Sequence, residues 1–106
     1  MSACLVQIHF DLLVPAETYT GHCREIADSF AALPGLRWKL WSLSENGEQA
    51  GGVYLFDSRE HAREYVEGPV VAALHKNPAF CNVEVRLRSV LTEPSLRTGA
   101  GTVLAG

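Results

Sequence analysis

Five side chains of this sequence could together take a proton from a small molecule and hold the anion that remains. A histidine titrates near neutral pH and is the usual base for such a step. Indole N–H and phenol O–H groups donate to developing negative charge, most strongly inside an apolar cavity, and a lysine or arginine offsets that charge. The five side chains are His9, Trp41, Tyr54, Lys39 and Arg86.

We take His9, Trp41 and Tyr54 as the candidate catalytic residues. The candidate substrate-binding residues are polar or aromatic and lie on a predicted sheet face, in a predicted turn, or near a predicted helix break. They are Gln7, Lys39, Glu45, Tyr65, His75 and Arg86. No two histidines are spaced i, i+4 and no glycine-rich phosphate loop follows a strand. We therefore expect no metal and no cofactor.

The same residues also have purely structural interpretations. Trp41 and Tyr54 suit a dimer interface, because aromatic side chains dominate interface energetics, and His9 suits the same interface. The two cations of the set suit salt bridges or an interface rim. His75 is placed at a helix C-terminus, where positive charge is favourable, and Glu45 borders a turn.

Length and charge describe one small domain without an obvious nucleic-acid or membrane partner. The chain has 106 residues, 47% of them hydrophobic, and a net charge of −3. Without a basic block, a phosphate backbone is a poor partner. Apolar runs stay well short of the roughly 20 residues of a membrane span. A domain of this size would bury more surface by pairing with a second copy.

Cysteine usage indicates a reducing compartment. Cys4, Cys23 and Cys81 are odd in number and irregularly spaced, without a C-x-x-C. This argues against a disulfide framework and a zinc site. The start of the chain has no basic segment before its apolar residues, so a signal peptide is not expected. We expect a cytoplasmic protein.

Hydrophobic periodicity predicts four strands and two helices. In chain order they are strand 4–10, helix 15–33, strands 36–45 and 51–56, helix 57–77 and strand 80–91. Asn46-Gly47 is a strong hairpin signal, and Gly68-Pro69 should break or kink the second helix.

The order βαββαβ predicts an α+β, ferredoxin-like fold. Right-handed crossovers give a four-stranded antiparallel sheet in the order 4-1-3-2, with both helices on one face. Residues 1–92 then form a single domain. Residues 93–106 lack periodicity and are predicted to be a tail that is loose or packs on a partner subunit.

The hairpin register divides the sheet into two faces. A two-residue turn places Trp41 opposite Gly52, Lys39 opposite Tyr54 and Arg37 opposite Phe56, and opposed residues share a face. Placing the apolar side chains of all four strands on one face then gives two sets of residues. The apolar set, under the helices, is Val6, Ile8, Phe10, Trp38, Leu40, Val53, Leu55, Val83, Val85 and Leu87. The opposite set is Gln7, His9, Lys39, Trp41, Tyr54, Phe56, Glu84, Arg86 and Arg88.

The second set is too aromatic for a face that meets only water. The same face of a second chain is the simplest cover, so we predict a homodimer with sheet packed on sheet. Trp38 is then expected in the core and Trp41 in the interface or in a site.

Several motifs resemble those of the YdhR-type monooxygenases. They are "QIHF", "PGLRWKLWSLSENGEQAGGVYLF", "AREYVE" and "TEP", and the resemblance covers residues 5 to about 96. This family belongs with the antibiotic-biosynthesis monooxygenase relatives in the dimeric α+β barrel superfamily. The resemblance implies a dimeric barrel and oxygenase chemistry.

Three functions remain open at this point. The first is cofactor-independent oxidation of an aromatic or polycyclic small molecule with O2, in which the substrate supplies the electrons. The second is a non-catalytic barrel that binds a small apolar compound. The third is an isomerase, cyclase or hydrolase on the same scaffold. Related barrels usually bind ligand between sheet and helices, whereas the candidate residues are expected on the other face, so the face that holds the pocket is also open.

Overall fold

The computed structural model describes residues 3–105, except the side chain of Ala105. The strands are β1 Cys4–Leu12, β2 Leu36–Leu43, β3 Gln49–Phe56 and β4 Phe80–Ser89. The helices are α1 Ala16–Ala31, α2 Arg59–Val66, α3 Pro69–Lys76, α4 Thr92–Arg97 and α5 Gly101–Ala105. The antiparallel sheet has the order β2-β3-β1-β4. The predicted ferredoxin-like topology is confirmed. No helix within residues 3–105 is both long and apolar enough to cross a bilayer.

Local signals set the element boundaries largely as expected. Gly35 has a φ of +77°, which lets the chain reverse after α1. The predicted break in the second helix is confirmed, because Pro69 occupies the first turn of α3 and separates it from α2. The Ser58 side chain accepts a hydrogen bond from the His61 backbone N–H and caps α2.

The core lies between the sheet and the helices α1, α2 and α3. Its buried members are Cys4, Val6, Ile8, Phe10, Ala50, Tyr54, Phe56, Ala62, Tyr65 and Val71. We call the sheet side that carries these residues the helix-covered face and the other side the outer face.

The predicted assignment of faces is wrong for the two hairpin strands. β1 pairs with β3 so that Val6 faces Tyr54 and Ile8 faces Gly52. Within the hairpin, Trp41 faces Gly52 and Lys39 faces Tyr54, as predicted. Since opposed residues share a face, the following all belong to the helix-covered face: Lys39, Trp41, Tyr54 and Phe56.

The outer face therefore has a different composition from the one predicted. β1–β4 pairing places His9 opposite Glu84 and Gln7 opposite Arg86. These side chains share the outer face with Trp38, Leu40, Val53, Leu55 and Arg88. The error arose because both faces of the hairpin carry large apolar side chains. Apolarity alone therefore did not show which of these faces lies on the same side of the sheet as Val6 and Ile8 of β1.

Trp38 is accordingly not in the core beneath the helices. It faces Leu55 on the outer face, and its indole Nε1 is buried without a hydrogen-bond partner among the described residues. The predicted pairing of Arg37 with Phe56 is also wrong, because a register shift at Arg37 brings Leu36 opposite Phe56.

The last part of the described chain contains two short helices. α4 and α5 follow β4, and α5 packs against β2 of the same chain. Leu91 and Leu96 in this segment remain exposed.

Two glycines make a matched test of this fold. A Cβ on Gly51 would collide with the Ile8 carbonyl oxygen and would lie 3.0 Å from His9 Cα, whereas a Cβ on Gly21 in α1 would meet nothing within 4 Å. We expect Gly51→Ala to lower the free energy of unfolding by more than about 2 kcal/mol. Gly21→Ala should raise it by about 0.5–1 kcal/mol. Urea unfolding measures both, and equal effects would contradict the β1–β3 register.

Candidate active site

A cavity of about 410 Å³ lies between the sheet and the helices. This volume is within the range of ~300–1,000 Å³ typical of small-molecule pockets. α1 and α3 supply mainly apolar walls, including Ile26, Phe30 and Leu74, and the strands β2 and β3 supply Lys39, Trp41 and Tyr54. The exposed side chains of His22, Ser29 and Asn77 also line the cavity.

The Lys39 amine lies among three aromatic rings. Its Nζ is 3.3 Å from the Trp41 ring centroid, 3.7 Å from that of Phe30 and 4.6 Å from that of Tyr54. No carboxylate among residues 3–105 forms an ion pair with it. The ring faces attract an ammonium, but burial strips its water and determines the direction of the shift. Burial lowers the pKa of Lys39 to about 7.

Gly52 makes room for this lysine. A Cβ at Gly52 would lie 2.8 Å from Lys39 Cε and 3.3 Å from Tyr54 Cε1. Gly52 faces Trp41 across the hairpin, so the lysine stem crosses the gap that the missing side chain leaves. The glycine thus allows Lys39 to reach the cavity.

Two tyrosine hydroxyls form a buried pair behind the cavity. Tyr54 Oη and Tyr65 Oη are 3.0 Å apart and share a hydrogen bond. The Tyr65 hydroxyl donates to the Tyr54 hydroxyl, so the hydrogen of the Tyr54 hydroxyl remains available to another acceptor. Burial raises the pKa of both hydroxyls, which keeps them protonated donors at neutral pH.

The structure brings together some of the predicted site residues and separates others. Lys39, Trp41 and Tyr54 line the cavity, and Tyr65 supports Tyr54. The other five lie elsewhere. Gln7, His9 and Arg86 are on the outer face, Glu45 is in the hairpin turn and His75 is exposed near the end of α3. The expectation that His9 and Arg86 share a face with Trp41 is therefore wrong.

Sequence reasoning missed the contribution of α1 to the cavity. No residue of α1 is among the candidate site residues, yet an apolar stripe of this helix, formed by Tyr19, Cys23, Ile26 and Phe30, lines the cavity. Burial raises the pKa of the Tyr19 hydroxyl. The stripe itself was the available signal, since a helix packed over a sheet with a glycine pair need not fill the space beneath it.

A second titratable pair lies outside this cavity. His61 Nδ1 is 2.6 Å from Asp57 Oδ1, and both side chains are about one-third exposed. The hydrogen bond between them lowers the pKa of Asp57 and raises that of His61. A Cβ on Gly35 would lie 2.6 Å from the Asp57 carboxylate and still closer to the His61 ring. The pair therefore packs against the α1–β2 connection. Within residues 3–105, no three His, Cys, Asp or Glu side chains are grouped as metal ligands would be.

The family is established by comparison with known proteins. The model of the family described as "Putative mono-oxygenase ydhR" matches residues 5–100. The chain belongs to this family. No curated protein matches it in sequence.

Solved structures with this fold include two oxygenases. SnoaB of Streptomyces nogalater, described as a cofactor-independent oxygenase, is 14% identical with a TM-score of 0.65, covering 88% of this chain and 100% of its own. A monooxygenase from the gene ActVA-Orf6 of Streptomyces coelicolor, in complex with Nanaomycin D, is 11% identical with a TM-score of 0.64, covering 84% and 88%. At these identities the similarity shows the fold alone.

A third structure with this fold has a different description. MhuD of Mycobacterium tuberculosis, described as a heme-degrader with two hemes in its active site, is 21% identical with a TM-score of 0.59, covering 82% of this chain and 95% of its own. The fold therefore does not determine the substrate.

The burial of Lys39 predicts a specific pH dependence of stability. Its pKa is lowered from 10.5 to about 7 in the folded chain. Between these values the unfolded chain binds the proton and the folded chain does not, so this group makes stability rise with pH across that window. We expect the free energy of unfolding of wild type minus that of Lys39→Met to increase from pH 7 to pH 10.5.

Urea unfolding at several pH values measures this difference. Lys76 is the other lysine of the chain and is exposed, so Lys76→Met is the matched control and should show a difference that changes little with pH. If the difference in free energy of unfolding between wild type and Lys39→Met does not change with pH, the pKa of Lys39 is not lowered in the folded chain.

Proposed function

We propose that this protein oxidises an aromatic or polycyclic small molecule with O2 in the cavity between sheet and helices, without a cofactor. Family membership supports oxygenase chemistry, and one structure of the same fold is described as a cofactor-independent oxygenase. The observation that carries the proposal is the convergence of Lys39, Trp41 and Tyr54 in a largely apolar cavity of about 410 Å³.

The cavity suits a flat aromatic ligand. Edge-to-face and offset contacts are available from Phe30 and Trp41, whose ring centroids are 5.1 Å apart. Apolar walls exclude water, which strengthens each polar contact inside. Lys39, Trp41 and Tyr54 are the lining residues with an amine, an indole N–H and a hydroxyl hydrogen that the Tyr54–Tyr65 bond leaves unused.

These groups match the needs of oxidation without a cofactor. The substrate must become an electron-rich enolate or phenolate that reacts directly with O2. Indole and hydroxyl donors stabilise negative charge that develops on substrate oxygen and on reduced oxygen. For an anthrone, one O2 yields the anthraquinone and one water, so substrate and O2 balance the reaction.

Oxygen uptake with an anthrone or a hydroquinone tests this function. We expect wild-type protein to consume O2, and Trp41→Phe to lower kcat by roughly 10²-fold, because it removes a donor at the developing charge. Trp38→Phe is the matched control, since Trp38 lies on the outer face, and it should retain the wild-type rate. Wild-type protein that binds these compounds tightly without consuming O2 would instead support the binding-protein alternative.

An isomerase or cyclase on the same scaffold would turn over without oxygen. Turnover under nitrogen to a product of the same oxidation state would favour it over the oxygenase. We assign no step to His9 in any of these reactions, because its side chain is on the outer face and does not line the cavity.

We also propose that the protein is a homodimer that packs outer face on outer face. Leu40 is 63% exposed there, opposite Val53 on β3. The oppositely charged Glu84 and Arg86 lie on β4, at the other edge of the same face. A two-fold axis would pair such a face with itself and bring unlike charges together. A standard interface of this kind covers ~800 Å² per partner.

Sedimentation of charged variants tests the dimer. We expect Leu40→Glu to sediment as a monomer, because it places two like charges in the interface. Leu13→Glu changes a residue of similar exposure, 61%, that follows β1 and is outside the outer face, so it should remain dimeric. Wild-type protein that is monomeric at micromolar concentration would contradict the proposal.

A further inference from the structure

We propose that Lys39 is the group that receives the substrate's proton, and that the substrate is a weakly acidic aromatic ketone or phenol. The inference rests on the proposed function for its ligand, but not on O2 for its chemistry. His9 was the expected base, yet its side chain is on the outer face, whereas the Lys39 amine is in the cavity between Phe30 and Trp41.

A base must be uncharged at rest, and the surroundings of Lys39 favour that state. The amine is partly buried and has no carboxylate partner among residues 3–105. The titratable side chains that face it are Tyr54 on β3 and Tyr19, His22 and Cys23 on α1. Both tyrosines stay neutral because burial raises their pKa. A pKa of about 7 places the amine where a general base is most effective near neutral pH.

The aromatic rings become useful only after the proton arrives. Their faces attract an ammonium within about 6 Å, and all three centroids are closer than that. They therefore stabilise the product of proton transfer rather than the resting amine. The new ammonium and the substrate anion then form an ion pair inside apolar walls, where the attraction is strong.

The proton step balances without any other reagent. With an anthrone, a methylene C–H bond breaks and an N–H bond forms on Lys39 Nζ. The electron pair of the C–H bond enters the conjugated π system, and the negative charge is delocalised onto the carbonyl oxygen to give the enolate. With a phenol, the O–H proton moves to Nζ and leaves the phenolate. No electron leaves the substrate in this step, so it proceeds with or without O2.

Deuterium exchange under nitrogen isolates this step from oxygenation. Anthrone in D2O is incubated with protein, and loss of the methylene proton signal is followed by NMR. We expect wild-type protein to catalyse the exchange and the rate to rise with pH to a plateau, with a midpoint near 7. Lys39→Arg keeps a cation but stays protonated, so it should lose the rise with pH and roughly 10²-fold of the rate.

Two further variants separate the position of the Lys39 amine from its charge and provide a control. Gly52→Ala keeps the amine but displaces Lys39, because the new Cβ would lie 2.8 Å from Lys39 Cε. It should also slow exchange, by about 10-fold or more. Lys76→Arg changes the chain's other, exposed lysine and should exchange like wild type. Circular dichroism and thermal melts confirm that each variant is folded.

The outcomes distinguish this inference from the proposed function. Exchange that depends on Lys39 without any O2 uptake in air supports the base and overturns the oxygenase. O2 uptake and exchange that survive unchanged in Lys39→Arg support the oxygenase and overturn the base. Wild-type protein that binds anthrone, judged by ligand line broadening, but catalyses no exchange also overturns the base.

Discussion

The pairing of β1 with β3 determines which residues of this protein can meet a ligand. Because Ile8 lies opposite Gly52 and Val6 opposite Tyr54, the hairpin strands turn Lys39, Trp41 and Tyr54 toward the helices. A shift of one residue would exchange the two faces of the hairpin and send all three to the outer face. The close contact of Gly51 with the Ile8 carbonyl helps to fix this register.

That register places the partly buried Lys39 in the cavity. Gly52 leaves a gap opposite Trp41, the Lys39 stem crosses it, and the amine ends against ring faces with no carboxylate partner among the described residues. The gap at Gly52, the Lys39 amine and the aromatic rings come together only because β2, β3 and α1 pack against one another here. The same arrangement costs stability at low pH and places a neutral amine in an apolar cavity. Groups with perturbed pKa values are commonly concentrated at functional sites.

The fold was largely predictable from sequence, whereas the site was predictable only in part. Strand alternation, the Asn46-Gly47 turn and the Gly68-Pro69 break specified the topology and the hairpin register. They did not specify which face of the hairpin lies under the helices, because Trp38 and Leu40 on one side are as apolar as Trp41 and Tyr54 on the other. That choice depends on long-range pairing, and so does the pKa of Lys39, which no local pattern reveals.

The proposed ligand site lies on the helix-covered face, beside Trp41. The chain has two tryptophans, one on each face of the sheet, so its indole N–H signals in a heteronuclear NMR spectrum report the faces separately. Single Trp→Phe variants assign the two signals, and wild-type protein is then titrated with anthraquinone. We expect the Trp41 signal to shift saturably while the Trp38 signal stays in place. A saturable shift of Trp38 with Trp41 unmoved would contradict it.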